Sequence, residues 1–268
     1  MISQLEAVAG RTTIEMVSAT MSAPHKNFPE FYITAPQPCP YLSGQKERKL
    51  FTHLTVDRPI ALIDNLLKGG FRRSQSIAYT PHCDGCNACV SVRVPVDDFQ
   101  PGRSMRRIIS RNRDLVARSV PAIATSEQYA LFRSYIDSRH SDGGMADMTV
   151  LDFSVMIEDS PIETFLIEYR TKPEDPLSQS LQLGSLKAVA LCDQLSDGVS
   201  MVYSFFDSDE ETRSLGTYMI LESLEQTRRR GLPYLYLGYW VAGSQKMDYK
   251  IRFKPQEHLT PEGWMSAD

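Results

Sequence analysis

The sequence predicts an α/β fold of the α+β kind, a mixed sheet with helices packed on it. Three stretches carry that reading. "SLKAVALCDQL" and "GVSMVYSFFD" each read as a strand, and the turn between them contains Asp197 and Gly198, a hairpin signal. "SLGTYMILESLEQTRRRG" follows with apolar residues at helical spacing, closing on three arginines and a glycine. "LPYLYLGYW" then returns as a strand. Hairpin, helix and strand in that order demand a sheet with at least one crossover.

The earlier elements follow in chain order. Residues 1–27 have little periodicity and read as an extension. "FPEFYITAPQPCPYL" holds Pro29, Pro36, Pro38 and Pro40, so it is extended, irregular chain leading to Cys39. "RPIALIDNLLKGG" is a short helix stopped by Gly69 and Gly70. "SQSIAYTPH" and "CVSVRVPV" alternate like strands, with the cysteines on the connection between them. "RSMRRIISRNRDLVAR" reads as one helix. Met105, Ile108, Ile109, Leu115 and Val116 form its apolar stripe, and Arg103, Arg107 and Arg111 follow at four-residue steps. In "VPAIATSEQYALFRSYIDSRH", Ser126 is the expected cap of a helix running to about His140. The expected organisation is an extension over 1–27, a smaller cysteine-containing domain with the arginine helix over 28–118, and a second domain over 119–268.

With 268 residues the chain is long enough for a large core, and 42% hydrophobic with 23% charged residues fits a soluble globular protein. The start, "MISQLEAVAGRTTIEM", lacks the basic end and apolar run of a signal peptide. No window approaches the ~20 apolar residues that cross a bilayer. A cytoplasmic protein with reduced thiols and no membrane partner is therefore expected. A net charge of −4 argues against whole-surface nucleic-acid binding, and against DNA as a partner. The distribution says more than the sum. Six arginines (103, 106, 107, 111, 113 and 118) face one acid, Asp114, in a single strip.

Four constellations carry chemistry. Cys83, Cys86 and Cys89 stand three apart, and Cys39 or His82 completes a set of four donors suited to zinc or iron–sulfur. Against this, a ferredoxin run needs a cysteine where Arg93 stands, and a zinc ribbon needs a second pair. Thiols that merely pack a turn are the alternative; Cys192 lies in a strand and stands apart. The arginine strip, interleaved with Ser104, Ser110 and Asn112, suits phosphate oxygens, or else is a solvated helix face. Arg213, Gly216 and Thr217 open a helix whose free N–H groups suit an anion. The acetyltransferase form of that loop has a small residue where this chain has Tyr218. Finally, "YLYLGYWVAGSQKMDYKIRFKP" places five aromatic residues from Tyr234 to Tyr249 beside Lys246, Lys250, Arg252 and Lys254. Rings next to cations suit a single-stranded RNA end, while a core strand with a solvated edge is the plainer reading. No Walker loop, hydrolase elbow or HExxH motif is present, which disfavours ATP use and zinc hydrolysis.

Taken together, "PCPYLSGQKERK", "GFRRSQSIAYTPHCDGCNACVSVRVPVDDFQPGRSMRRIISRNRDL", "SRHSDGGM", "TRSLGTYMILESLE" and "YLYLGYWVAGSQKMDYKIRFKP" resemble the aminoacyl-tRNA–protein transferases of the N-degron pathway. The resemblance runs from about Phe31 to Trp264. Compact size and the CxxCxxC form resemble the leucine-transferring bacterial branch. The resemblance implies an acetyltransferase-like fold for the C-terminal domain. It also implies leucyl-tRNA as donor and, as acceptors, proteins beginning with Asp or Glu, which the added leucine marks for degradation. No cofactor is required, because an aminoacyl ester is already activated and an N-terminal amine, with a pKa of ~8, attacks directly. Zinc or iron–sulfur at Cys39, Cys83, Cys86 and Cys89 would serve the fold. For the tRNA, Arg103, Arg106, Arg107, Arg111 and Arg113 are the candidates, with Arg213 and Gly216 at the helix opening. Arg72 and Arg73 are candidates for the acceptor's acidic side chain, with Lys246 and Lys250 as competitors. The catalytic candidates are Asp207, as proton acceptor or else a turn cap, and Tyr218, where tRNA replaces coenzyme A as carrier. Arginine as the donated residue, a small-molecule N-acetyltransferase and a non-catalytic metal-containing RNA-binding module are the rival readings.

Overall fold

Alternating strands need a partner for each face, and here helices cover both faces of one large sheet. The computed structural model describes residues 29–55, 58–139, 145–173 and 184–267, so the expected extension over 1–27 lies outside the described residues. The first elements are β1 (Tyr32–Ile33), β2 (Gln37–Pro38), β3 (Lys46–Glu47), β4 (Lys49–His53), α1 (Ile60–Lys68), β5 (Arg72–Ser74) and β6 (Ile77–Pro81). Then come β7 (Cys89–Pro95), α2 (Arg103–Arg111), β8 (Leu115–Pro121), α3 (Ser126–Arg139), α4 (Val150–Glu158), β9 (Thr164–Thr171) and β10 (Leu186–Gln194). The chain closes with β11 (Gly198–Phe206), α5 (Leu215–Arg229), β12 (Tyr234–Val241), β13 (Gln256–Thr260) and β14 (Gly263–Ala267).

The large sheet has eight strands in the order β14-β13-β7-β12-β11-β10-β9-β8. Its pairs are antiparallel except β11 with β12, the pair that α5 connects as a crossover. The expected hairpin is β10–β11, and with α5 and β12 it gives the hairpin–helix–strand order that the sequence predicts. The sheet takes strands from both sides of residue 118: β7 lies before it, and β8 spans it. A smaller sheet, β1-β4-β6-β5, holds the N-terminal region.

Two-residue alternation along β10 shows how both faces are filled. Ala188, Ala190 and Cys192 point into a core shared with α2 and α5, while Val189 and Leu191 point into one shared with α3 and α4. On the second face Phe132, Phe153 and Phe205 meet ring to ring, with centroids 5.1 to 6.0 Å apart. Each such buried side chain contributes about 1.5–3 kcal/mol. Among the described residues no helix is long and apolar enough to cross a membrane.

Two expectations are corrected. The arginine helix stops at Arg111, and Leu115 and Val116 begin β8 instead of extending the helical stripe. Asn112 makes the break. Its buried side chain donates to Ile108 O and to Arg213 O, each at 2.9 Å, so it caps α2 with a bond to chain 101 residues away. The cap of α3 is Thr125, one residue before the expected Ser126. Thr125 Oγ1 accepts from Gln128 N at 3.2 Å, and Gln128 Oε1 accepts from Thr125 N at 3.0 Å.

Candidate active site

The sheet opens where β11 and β12 part. They pair only from Gly198–Tyr234 to Ser200–Tyr236, and β12 then shifts register against β7 between Tyr236 and Gly238. Beyond the split, carbonyls of β11 lose their strand partner. Arg72, from β5 of the smaller sheet, supplies a replacement: its Nη2 donates to Met201 O at 3.0 Å and to Val202 O at 2.8 Å. Gly238 makes room. It has φ +73, and a Cβ there would lie 1.2 Å from Arg72 Nη1. A glycine inside an otherwise apolar strand signals a bulge or a close approach, and here it is both.

Lys250 enters the same cleft from the short 3₁₀ turn Asp248–Arg252. It is 5% exposed, and its Nζ donates to Tyr239 O at 2.5 Å. Burial, reinforced by the nearby charge of Arg72, lowers its pKa from 10.5 to about 7. Tyr249 beside it keeps 40% of its surface exposed, while partial burial raises its pKa, opposed by Arg72. Tyr239 donates from its hydroxyl to Gly70 O at 2.8 Å and to Tyr79 O at 3.1 Å, fastening the smaller sheet to β12. Where the strands part, two cationic side chains, Arg72 and Lys250, thus meet main-chain oxygens of β11 and β12, with Tyr239 and Tyr249 beside them.

The cysteine corner adjoins this wall. Burial pushes the Cys89 thiol up to about 11, helped by the proximity of Cys83, Cys39 and Cys86, so the four sulfurs share one neighbourhood. Cys83 lies against Arg48, whose backbone N–H reaches its Sγ at 3.4 Å, and its main chain pairs with that of Cys86 across a turn, both thiols being free. Yet among the described residues no group of three or more His, Cys, Asp or Glu forms a metal-binding set. The donors suit a soft metal, but their arrangement does not close on one. Tyr41 joins the corner to the cleft: burial raises its pKa to about 12, with Tyr79, Arg72 and Cys89 all near enough to act on it. A cavity of about 560 Å³ lies beside it, between Pro40–Ser43 and the loop Gly243–Lys246, with Lys246 exposed at its rim.

The other sequence candidates fall elsewhere. Arg73 is 4% exposed and forms a two-pronged pair with Asp193, Nε and Nη2 each 2.7 Å from a carboxylate oxygen. Thr164 donates to the same carboxylate, so Arg73 is a buried internal cross-link and not part of the cleft. Asp207 pairs with Lys187 at 2.9 Å and accepts from Asp209 N at 3.1 Å, which realises the turn cap. Tyr218 is 6% exposed on the core face of α5, edge-on to Tyr169 at 5.8 Å. Burial raises its pKa to about 12, and Glu222 adds to that, so it is a core residue. Arg213 is also committed, to Asn112 Oδ1 at 2.9 Å and Asp114 at 2.5 Å. Gly216 lies in the first turn of α5 with Phe206 3.4 Å from the position of a Cβ.

The arginine strip stays on the surface. Arg103, Arg106, Arg107, Arg111 and Arg113 are all exposed. Arg106 donates to Pro101 O at 2.7 Å, and Arg111 to Thr212 O. Among the described residues, Arg103, Arg107 and Arg113 have no carboxylate partner. Because Arg111 touches the chain just ahead of α5, the strip ends near where β11 ends and the cleft opens. Gly238 was missed at the sequence level, although a mid-strand glycine was its signal. Lys250 was noted as a cation, but nothing local announced its burial.

The family model described as "Arginine-tRNA-protein transferase, C terminus" matches residues 127–260, and that for the N terminus matches residues 37–107. An aspartate/glutamate leucyltransferase of Xanthobacter autotrophicus is 58% identical over 244 residues, 91% of this chain and 98% of that relative. One of Bradyrhizobium sp. strain BTAi1 is 57% identical over 250 residues, 92% of this chain and 96% of the relative. One of Methylobacterium nodulans is 57% identical over 248 residues, 92% and 100% respectively. Among solved structures, the crystal structure of FemX matches with a TM-score of 0.47 and 9% identity, covering 76% of this chain and 67% of that one.

Proposed function

The chain belongs to the arginine-tRNA-protein transferase family, and from that premise we propose that it transfers leucine from leucyl-tRNA to the N-terminal amine of proteins beginning with Asp or Glu. The observation that carries the donor and acceptor is the identity of 57–58% with aspartate/glutamate leucyltransferases over nearly the whole chain. In this reading the product is a cytoplasmic protein marked by its new leucine for N-degron degradation.

The chemistry asks little of the protein. The leucyl ester is activated, so the enzyme has to align amine and carbonyl, stabilise the oxyanion and manage protons. Arg72 is the group for the acceptor's carboxylate: its Nη2 is anchored on β11, which fixes the guanidinium in the split. With Nη2 committed to the main chain, Nη1 is left to donate to the carboxylate, and a charged donor at this place favours Asp and Glu over their amides. Lys250 adds a second cation at the same place. The exposed arginines of α2 take the phosphates of the acceptor arm, and Tyr41, Tyr79 and Tyr249 offer ring faces to the RNA end. The thiols take no part in the transfer, because an ester needs neither a redox step nor a thiol nucleophile.

The test offers labelled leucyl-tRNA and labelled arginyl-tRNA separately to a peptide beginning with Asp. Label passing from leucyl-tRNA alone is the expected result, and label passing from arginyl-tRNA alone overturns the assignment of the donor.

A further inference from the structure

Lys250 sits in an environment that does not suit a charged lysine. The groups around it are Arg72 from β5, the Tyr239 carbonyl from β12, the Tyr249 ring of its own turn, and Gln256 of β13, which donates to its main-chain oxygen at 2.9 Å. Among the described residues, Arg72 is the one ionic neighbour that influences it, and it is a like charge. A buried lysine without a carboxylate costs stability unless it gives up its proton or receives an anion. The proposed acceptor brings both an anion, its acidic side chain, and a surplus proton, on its α-ammonium group.

Building on the proposed leucine transfer, we infer that Lys250 is the proton acceptor of the reaction and that, once protonated, it becomes the second cation holding the acceptor's acidic side chain. The free amine of Lys250 takes a proton from the acceptor's α-ammonium. The freed lone pair attacks the leucyl carbonyl carbon, the C–N bond forms and the bond to the ribose oxygen breaks. A second proton passes from the new amide nitrogen to that oxygen, leaving tRNA with a free hydroxyl. Lys250 returns its proton to solvent as the product leaves, so one proton is released per transfer. Activation and recognition are thereby one event. An amide side chain in place of the acid leaves the protonated lysine beside Arg72 with no counter-charge, so the proton transfer itself is disfavoured. A lowered lysine pKa supports this role, since the neutral form is then available near pH 7.

The test compares kcat/KM of wild type, K250M and K250R between pH 6 and 9, with leucyl-tRNA and peptides that begin with Asp or with Asn. Ionisation of the donor cancels in the ratio of wild type to variant. Below its own pKa of ~8 the acceptor amine needs a base, and above it does not. The ratio of wild type to K250M for the Asp peptide is therefore expected to be several-fold at pH 7, approaching the roughly tenfold deficit of neutral amine there, and to shrink toward unity by pH 9. K250M also narrows the preference for Asp over Asn, and K250R keeps KM for the Asp peptide while losing kcat at pH 7. A ratio constant with pH, or an unchanged preference in K250M, overturns the inference. Should both variants fail to fold, the wild-type profile decides. Its Asp-over-Asn preference should weaken as pH rises from 7 to 9, where the lysine no longer carries a proton, and a constant preference overturns the inference. Wild type that transfers no leucine to either peptide would instead refute the leucyltransferase reading.

Discussion

Arg72 fills the space that a side chain on residue 238 would need, with Nη1 1.2 Å from the position of a Cβ on Gly238. The bulge of β12 and the guanidinium in the split therefore depend on each other. Replacing Gly238 with Ala places a Cβ on a φ of +73 and displaces Arg72. The expected cost is roughly 1–3 kcal/mol of stability, with slower transfer to Asp peptides among folded molecules. Thermal unfolding and a transfer assay read both, and an unchanged variant in both assays contradicts this geometry.

Arg73 separates structure from recognition. Both side chains of the Arg73–Asp193 pair are 1% exposed, so R73M strands a buried carboxylate. A loss of about 3–5 kcal/mol is expected. Per folded molecule, the preference for Asp over Asn should not change; a lost preference would return Arg73 to the acceptor site.

The arginine strip should act through phosphates. Arg103 and Arg107 are exposed and free of carboxylates among the described residues. Changing both to Ala should weaken tRNA binding several-fold. The slope of log K against log salt should flatten by about 0.7–0.9 for each phosphate that is no longer neutralised. Filter binding over a salt series measures this, and an unchanged slope marks the strip as a solvated face.

Lys250 also predicts a gain in stability. Its pKa falls from 10.5 when unfolded to about 7 when folded, so the unfolded chain binds more protons between those values. The folded state consequently gains stability as pH rises from 7 toward 10.5, and it lacks that gain below 7. K250M removes the penalty. It should melt above wild type at pH 7, by up to about 4 kcal/mol, and the gap should close by pH 10. A K250M melting temperature below wild type at pH 7 contradicts the description of Lys250 as a buried, uncompensated cation.

Much of the fold was legible because its signals are local. The β10–β11 hairpin, α5 and β12 follow from periodicity and turn residues, and each forms where the pattern places it. The end of α2 was not legible, because Asn112 breaks the helix with a hydrogen bond to Arg213, which the chain brings near only on folding. The site divides in the same way. Arg72 was visible as one of two adjacent arginines, but adjacent strand residues face opposite sides, which sends Arg72 to the split and Arg73 into the interior. Asp207 and Tyr218 looked chemical by position; the fold pairs Asp207 with Lys187 and packs Tyr218 into the core under α5, partners that no local pattern announces. The depression of Lys250 needs a buried turn and an arginine from a distant strand, which no local pattern encodes.

The central claim is leucine transfer with acid selectivity set at Arg72, and one assay addresses it directly. Labelled leucyl-tRNA is mixed with wild type or R72M, without ATP, and with two peptides identical but for Asp or Asn at the first position. Wild type is expected to label the Asp peptide at least tenfold faster than the Asn peptide, and folded R72M is expected to lose that difference. Equal rates with wild type, a requirement for ATP, or full selectivity retained by R72M would contradict that claim.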